Sequence, residues 1–221
     1  NVLAAVNFAG NRFFYVNPLA ADGKYPFNHG TAGRAPWFGT ACCPSNMARL
    51  LPQVQGMTYA HDGSNLYVTF YAESATKVKV AGTEVAVQQA TAYPNDGKIH
   101  INLDPDKPAT FALRLRIPTW TGEQFVPGEL YRYAKSDPKA NWSLTVNGKP
   151  VKMKVQNGFA VVERPWKKGD RVELNLPMPL RINTCHPKVE ANHDRIALTR
   201  GPFVLCAEGV DNGGITERYF F

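Results

Sequence analysis

The sequence predicts a mainly β protein whose strands form an antiparallel β-sandwich, and two observations support this fold class. From about residue 57 onward, apolar and polar residues alternate along many short segments, which is typical of strands that bury one face only. Glycine, proline and asparagine separate these segments at short intervals, as they do between the strands of a sandwich. The clearest alternation occurs in NLYVTFYA (65–72), KVKV (77–80), KIHINL (98–103) and FALRLRIP (111–118).

A hairpin is indicated farther along the chain, in SLTVNGKPVKMKV (143–155). Asn147 and Gly148 both tolerate the positive φ angles of a type I′ turn, which suits the twist of two antiparallel strands. Gly82 similarly marks a turn between two valine-rich segments. RVELNL (171–176) and RIALTRGPFVLCAE (195–208) add further strands, so the predicted sheet structure extends over residues 57–221.

The first 56 residues have a different pattern, which includes the one convincing helix. RFFYVNP (12–18) is strand-like, residues 20–40 are rich in turn-forming residues, and the helix follows. Pro44 suits its first turn, where a missing N–H costs nothing, whereas Pro52 is expected to break or kink it after Leu51 and Gly56 to end it. We therefore place a domain boundary near Gly56, between residues 1–56 and 57–221. An apolar stripe is formed by Met47, Leu50, Leu51 and Val54.

Charge and composition argue against two classes of partner. The net charge of the 221 residues is +7, from 25 Lys and Arg against 18 Asp and Glu. The basic residues are spread between apolar ones and form no single stripe, so we expect no nucleic-acid partner. No apolar run approaches the length of a bilayer-spanning helix, so we expect no membrane partner.

The chain opens at Asn1 without an initiator methionine, and we expect it to be a fragment of a longer protein.

Two adjacent cysteines, Cys42 and Cys43, lie just before the predicted helix. Unpaired amides and the positive end of the helix dipole converge at that point, and both stabilise a thiolate. Spacing alone leaves three alternatives open: disulfides to other cysteines, buried thiols, or ligands of a metal such as Zn²⁺, which accepts thiolate sulfur readily. In the β region we expect Cys206 to be a small core residue, and a bridge between Cys185 and Cys206 stays open.

Several segments in a fixed order resemble one enzyme family. They are FFYVNPL, WFGTACCPSNMARLL, DGSNLYVTFY, LRIPTW, VNGKPV, RPWKKGDRVELNLPMPLR and ALTRGPFVLCAE. Together they resemble the later part of glycoside hydrolase family 127, the β-L-arabinofuranosidase family, and the likeness covers nearly the whole chain. The resemblance implies that residues 1–56 are the C-terminal end of an α/α-barrel catalytic domain and that residues 57–221 are the β-sandwich that follows it.

The resemblance also implies a function and assigns roles to individual residues. Enzymes of this family are retaining exo-glycosidases that release terminal β-L-arabinofuranosyl or related residues from plant-derived glycans. Cys42 corresponds to the nucleophile, which is also a zinc ligand, and Cys43 corresponds to a second zinc ligand. The remaining ligands, a glutamate and a further cysteine, and the acid/base glutamate correspond to the part of the catalytic domain upstream of Asn1. We therefore expect the chain alone to be inactive.

Three residues near the cysteines are further site candidates. By the resemblance, Tyr15 corresponds to a tyrosine close to the sugar, and core packing is the alternative. Trp37 is a candidate wall of the sugar pocket because an aromatic face suits the apolar side of a sugar, and simple burial is its alternative. His29 lies in the loop before Trp37, and that loop is close enough in sequence to reach the cysteines.

Other interpretations stay open from the sequence. One is a non-catalytic β-sandwich module for carbohydrate binding or domain support, and another is an extracellular adhesion-type sandwich held by disulfides. Location is open between the bacterial cytoplasm, which keeps thiols reduced, and the periplasm, where zinc can protect them. The chain has no convincing carboxylate pair for ordinary glycoside hydrolysis, no phosphate-binding glycine loop and no nucleophile-elbow serine.

Overall fold

The structure is a computed structural model that describes residues 5–7, 9–16, 24–39 and 42–206. By its internal contacts the chain divides into two compact units, one formed by Asn1–Val54 with Cys206–Phe221 and the other by Gln55–Leu205. In the described part of the chain, the extended strands lie in the second unit and the single α-helix lies in the first.

Helix α1 spans Cys42–Val54, so the two adjacent cysteines are its first residues rather than the residues before it. Pro44 falls in the first turn, as predicted, where its lack of an N–H costs no helical hydrogen bond. The helix includes Pro52 and continues to Val54, so Pro52 does not break it after Leu51, and the alternative of a kink there stays a prediction. Pro52 is so close to the end that only the final turn loses a hydrogen bond. Within the described residues, no helix has both the length and the apolar character that crossing a bilayer requires.

The predicted apolar stripe of α1 is largely exposed in this chain. Leu51 is 52% exposed, Leu50 40% and Val54 37%. Large aliphatic side chains on one helix face normally pack against other segments, and burying each would contribute about 1.5–3 kcal/mol. The stripe is therefore a surface that suits a packing partner.

The second unit contains fifteen strands and three short 3₁₀ turns among the described residues. The 3₁₀ turns span Gln55–Met57, Thr119–Thr121 and Glu190–Asn192. The strands are β1 Tyr59–Asp62, β2 Asn65–Val68, β3 Ser74–Val80, β4 Thr83–Thr91, β5 Lys98–Pro105, β6 Ala109–Arg116, β7 Tyr131–Tyr133, β8 Ser143–Val146, β9 Lys149–Pro150, β10 Lys154–Gln156, β11 Phe159–Trp166, β12 Asp170–Asn175, β13 Leu180–Cys185, β14 Ile196–Arg200 and β15 Phe203–Leu205.

These strands form three sheets. The first sheet has the order β1-β2-β6-β11-β10, the second β3-β4-β5-β12-β8-β9, and the third β15-β14-β13-β7. Paired strands in these sheets run antiparallel, with the exception of β2 and β6, which are parallel and place Leu66 opposite Leu113. The prediction of a mainly β chain with antiparallel sheets is therefore confirmed.

One hydrophobic core joins the first two sheets. Its members come from alternate positions of the strands, as the sequence pattern predicts, so that Ile99, Ile101 and Leu103 of β5 are fully buried. Side chains from both sheets belong to the same cluster, which is consistent with the predicted β-sandwich. The remaining fully buried large side chains of the cluster are Leu66, Val68, Phe111, Leu113, Leu115, Trp166, Leu174 and Leu176.

The predicted hairpin turn has the expected geometry. Asn147 and Gly148 have φ angles of 52° and 74°, both in the left-handed region that a type I′ turn requires. The Asn147 side chain holds the turn to β12: its Nδ2 donates to Asp170 Oδ1 at 2.8 Å, and its Oδ1 accepts the Arg171 N–H at 2.9 Å. The turn therefore fixes the register between β8, β9 and β12.

The third sheet buries polar side chains, which is why the apolar pattern did not single it out. Arg181, 4% exposed, donates to the carbonyls of Trp120, Gly122 and Pro138 at 2.7–3.1 Å, and its guanidinium lies 4.3 Å from the Tyr133 ring centroid. A guanidinium can be buried only with acceptors of this kind around it. Strand β13 is therefore anchored through one cation rather than through an apolar face.

Candidate active site

Cys42 opens helix α1 with an exposed side chain. Its backbone carbonyl accepts a hydrogen bond from Ser45 Oγ at 3.1 Å within the first turn. A helix N-terminus carries the positive end of the helix dipole, which favours negative charge on a sulfur placed there. The side chain of Cys43 lies outside the described residues. The terminus therefore presents the Cys42 thiol in a setting that stabilises a thiolate.

A phenol lies beside this sulfur. Tyr15 Oη is 3.7 Å from Cys42 Sγ, within hydrogen-bonding range for sulfur. Either group can donate while Cys42 is a thiol, whereas a thiolate can only accept, and the Tyr15 hydroxyl would then be the donor. The structure therefore brings together two residues that the sequence singled out and that lie 27 positions apart.

An aromatic cluster surrounds the Tyr15 ring. The His29 imidazole meets it nearly perpendicularly, at 85° with 4.3 Å between ring centroids. Phe38 lies 5.5 Å from Tyr15 and packs edge-on against Phe13 at 5.1 Å. Phe38 is only 6% exposed, so it forms the apolar base on which the Tyr15 ring rests. These contacts restrict the direction in which the phenol can point.

A fully buried asparagine joins the Tyr15 segment to the His29 loop. Asn28 Oδ1 accepts the backbone N–H groups of Tyr15 at 2.7 Å and Val16 at 3.2 Å, and its Nδ2 donates to the Gly33 carbonyl at 2.8 Å. Its own N–H donates to the Thr31 carbonyl at 2.9 Å. Because Asn28 is fully buried and water cannot replace these partners, moving its side chain would leave several of the paired groups unsatisfied.

Short backbone bridges support the same region. Phe13 pairs with Ala35 and with Val6 in isolated antiparallel bridges. Arg34 Nε donates to the Ala5 carbonyl at 3.1 Å, while its guanidinium lies 4.4 Å from the centroid of the Phe14 ring. The segment that carries Tyr15 is therefore held from both sides.

The side chain of Trp37 is exposed in this chain. Its side chain is 64% exposed, and the neighbouring Phe38 packs against Tyr15. Within this chain Trp37 is therefore not buried, because Phe38 and not Trp37 enters the cluster. A role for Trp37 in the wall of a sugar pocket stays a prediction.

The described residues alone do not make a complete metal site. Among them, no group of three or more His, Cys, Asp or Glu side chains is arranged to hold an ion. Zinc requires about four ligands, and Cys42 and Cys43 would supply two thiolates. The donor chemistry therefore suits zinc, but the ligand set would need further members from beyond these residues.

The cysteines of the β region take no part in a bridge. Cys185 and Cys206 are both free thiols, which excludes the bridge between them that the sequence left open. Cys185 Sγ donates to the Asn192 carbonyl at 3.1 Å. Cys206 is exposed, so the expectation of a core residue is wrong: the last strand of the described residues ends at Leu205, before the alternation reaches Cys206. An adhesion-type sandwich held by this disulfide is therefore excluded.

The sequence pattern did not single out two residues of the cluster, which are Asn28 and Phe38. Asn28 lies in PFNHG, a composition typical of an exposed turn, and nothing in that composition predicts complete burial. Phe38 directly follows Trp37 in the sequence, and Trp37 is the more obvious candidate for sugar contact. The available signal was the run of aromatic residues in RFFYV, which would need buried aromatic partners.

Three family models match successive parts of the chain. Residues 1–56 match "Beta-L-arabinofuranosidase, GH127 catalytic domain". Residues 65–178 match "Beta-L-arabinofuranosidase, GH127 middle domain". Residues 180–220 match "Glycoside hydrolase family 127 C-terminal domain". The segment that carries Tyr15 and Cys42 is thus similar to a catalytic domain, and the sheets are similar to the domains that follow.

Individual relatives show the same likeness. The non-reducing end β-L-arabinofuranosidase of Bifidobacterium longum subsp. longum is 30% identical over 98% of this chain and 31% of its own length. A solved GH127 β-arabinofuranosidase is 40% identical with a TM-score of 0.84, over 95% of this chain and 32% of that one. A GH127 β-L-arabinofuranosidase from Geobacillus stearothermophilus is 34% identical with a TM-score of 0.78, over 96% of this chain and 31% of that one. The chain spans about a third of the length of these relatives.

Proposed function

This chain belongs to glycoside hydrolase family 127, and from that membership we propose that it is part of a retaining exo-glycosidase with a cysteine nucleophile. The proposed substrate is a glycan of plant origin that ends in a β-L-arabinofuranosyl or related residue. Two relatives are named as β-L-arabinofuranosidases, which supports this choice of sugar.

The contact between Tyr15 Oη and Cys42 Sγ carries the proposal. An exposed sulfur at a helix N-terminus, beside a hydroxyl that can donate to it, is suited to act as a thiolate that a sugar can reach. A thiol kept only for packing would be buried among apolar side chains, and the Cys42 side chain is exposed. The arrangement therefore favours chemistry at Cys42.

The proposed reaction has two displacements at the anomeric carbon. In the first, a C–S bond forms to Cys42 and the glycosidic C–O bond breaks, with its electron pair going to the leaving oxygen. A glutamate outside this chain gives that oxygen a proton. In the second, water attacks the same carbon and loses a proton to that glutamate, while the C–S bond breaks and the thiolate is restored. Two inversions return the original configuration.

Zinc is part of the proposal. Cys42 and Cys43 would hold the ion together with a glutamate and a third cysteine from outside this chain. When bound, zinc would keep the sulfur ionised at neutral pH by compensating its negative charge. The Tyr15 hydroxyl then donates to the ionised sulfur and orients it, and the cluster of Phe38 and His29 holds the phenol in place.

We also propose that residues 1–56 complete an α/α-barrel catalytic domain and that residues 57–221 form the β-sandwich part of the same protein. The exposed stripe of Leu50, Leu51 and Val54 supports this, because a helix at the edge of a barrel has a face that the neighbouring helices cover. The partners are accordingly a glycan substrate and the rest of the catalytic domain. The proposed location is the bacterial cytoplasm or periplasm.

Substrate choice and stereochemistry test the function. We expect the full-length enzyme to release L-arabinose from a β-L-arabinofuranoside, and proton NMR during the first turnovers to show the β-anomer of the product. The matched controls are the α-L-arabinofuranoside and the β-L-arabinopyranoside, which should be hydrolysed at least about 100-fold more slowly because their anomeric carbon or ring atoms would be misplaced. Equal hydrolysis of both anomers, or an initial α-product, would contradict the proposal.

A second candidate function is a non-catalytic module for carbohydrate binding or domain support. An open groove on the outer face of the second sheet, lined by His100, Asn102, Arg171 and Glu173, favours it because polar side chains there face solvent. Glycan binding by this chain without zinc, combined with no turnover by the full-length protein, would support the module over the enzyme.

A further inference from the structure

We infer that Asn28 is a positioning residue of the active site, which sets the Tyr15 hydroxyl against the Cys42 sulfur. The inference rests on the proposed function, since it assigns a role in catalysis at Cys42. It goes beyond that function because Asn28 touches neither the sulfur nor a sugar and acts through the Tyr15 backbone.

The first argument is that Asn28 fixes the backbone at the two residues that aim the phenol. The N–H groups of Tyr15 and Val16 both donate to Asn28 Oδ1, at 2.7 Å and 3.2 Å. Two donors converging on one oxygen determine the orientation of the peptide between them. Since the Cα–Cβ bond of Tyr15 is attached to that peptide, the direction of its side chain follows from it.

The second argument is that Asn28 is itself held rigidly. It is fully buried, its Nδ2 donates to the Gly33 carbonyl at 2.8 Å, and its backbone exchanges hydrogen bonds with Thr31 at 2.9 Å and 3.3 Å. An amide that spans two segments in this way transmits the position of the loop to Tyr15. A solvent-exposed asparagine, free to rotate, could not do so.

The third argument is that the same loop places a second ring of the cluster. His29 follows Asn28 directly and has a φ angle of 51°, in the left-handed region that is uncommon for residues other than glycine but that histidine tolerates better than most. This conformation sets the imidazole nearly perpendicular to the Tyr15 ring at 4.3 Å. The loop that Asn28 anchors therefore contacts Tyr15 twice, through the hydrogen bonds of Asn28 to its backbone and through the His29 ring that packs against its side chain.

A double-mutant cycle in the full-length enzyme tests the inference. We expect Asn28→Ala and Tyr15→Phe each to lower kcat about 10-fold, with KM changed by less than about threefold, because the interaction they remove is with the nucleophile. If Asn28 acts through the Tyr15 hydroxyl, the double variant should be no more than about twofold slower than the slower single variant. If Asn28→Ala does not fold, Asn28→Asp replaces it. Asn28→Asp keeps the acceptor for both N–H groups, but it places a carboxylate oxygen against the Gly33 carbonyl in place of the Nδ2 donor.

The matched control is Asn183→Ala, which removes another buried asparagine that donates to Thr199 Oγ1 at 2.9 Å in the second unit. It should lower Tm but leave kcat per folded enzyme within about twofold. Asn28 variants that lose Tm and keep kcat, or that are fully additive with Tyr15→Phe, would overturn the inference. If Cys42→Ser keeps full turnover, the proposed function fails instead; if Cys42→Ser is inactive and the cycle is additive, only the positioning role fails.

Discussion

Replacing Cys42 by serine should lower kcat of the full-length enzyme by at least about 1,000-fold while the protein stays folded. The hydroxyl of serine ionises far less readily than a thiol, so the helix terminus and the Tyr15 hydroxyl cannot turn it into an anion at neutral pH. Loss of a nucleophile costs several orders of magnitude in other covalent hydrolases, and the residual rate comes from binding and the other groups. The measurement is steady-state hydrolysis of a β-L-arabinofuranoside, with Tm recorded on the same preparations.

The same substitution at another thiol provides the control. Cys206 is exposed, and Cys206→Ser should leave kcat and Tm within the error of the measurement because the new hydroxyl stays in water. A Cys42→Ser variant with more than about a tenth of the original kcat would show that the sulfur is not the nucleophile. Loss of activity in both variants would indicate a general sensitivity to cysteine replacement instead.

Trp166→Ala should be the most destabilising single change in the β part of the chain. Trp166 is fully buried, stacks on Phe111 with 5.8 Å between ring centroids, and donates its indole N–H to the Phe111 carbonyl at 3.0 Å. Truncation leaves a large cavity and removes the hydrogen bond from the indole N–H to the Phe111 carbonyl, which together should cost about 3–5 kcal/mol. In a unit of this size that corresponds to a fall in Tm of about 10 °C.

Scanning calorimetry of the full-length enzyme measures this effect, and Trp37→Ala is its control. Both variants lose the same side chain, but Trp37 is 64% exposed, so its removal should shift stability by no more than about 0.5 kcal/mol. Similar losses in Tm for the two variants would contradict the assignment of Trp166 to a core shared by the first two sheets.

The sheets were predictable because burial follows a period of two. Ile99, Ile101 and Leu103 alternate in the sequence and are all buried, and Asn147 and Gly148 adopt the turn that their conformational freedom favours. The third sheet could not be separated in the same way, because Arg181 and Asn183 occupy buried positions where an apolar residue is expected. Burial of a charged residue depends on acceptors supplied by distant loops, which no local pattern shows.

The site was only partly predictable, for a related reason. The adjacent cysteines and the helix signal single out the pair of Cys42 and Cys43, and the family resemblance then points to Cys42 and to Tyr15. The distance of 3.7 Å between their side chains depends on Asn28 and Phe38, whose contacts join segments that are separate in the sequence. Local sequence predicts which residues have suitable chemistry, whereas their mutual geometry depends on long-range packing and hydrogen bonding.

The most direct test of the central claim is to identify the atom that carries the sugar during turnover. The full-length enzyme is mixed with a fast-leaving β-L-arabinofuranoside, quenched in acid within the first turnovers, and digested for peptide mapping by mass spectrometry. We predict that one dehydrated pentose is attached to Cys42, that it disappears once substrate is exhausted, and that Cys43 carries none. A sugar attached to a carboxylate or to Cys43, or retention of configuration with no sugar on any residue, would contradict the assignment of Cys42 as the nucleophile.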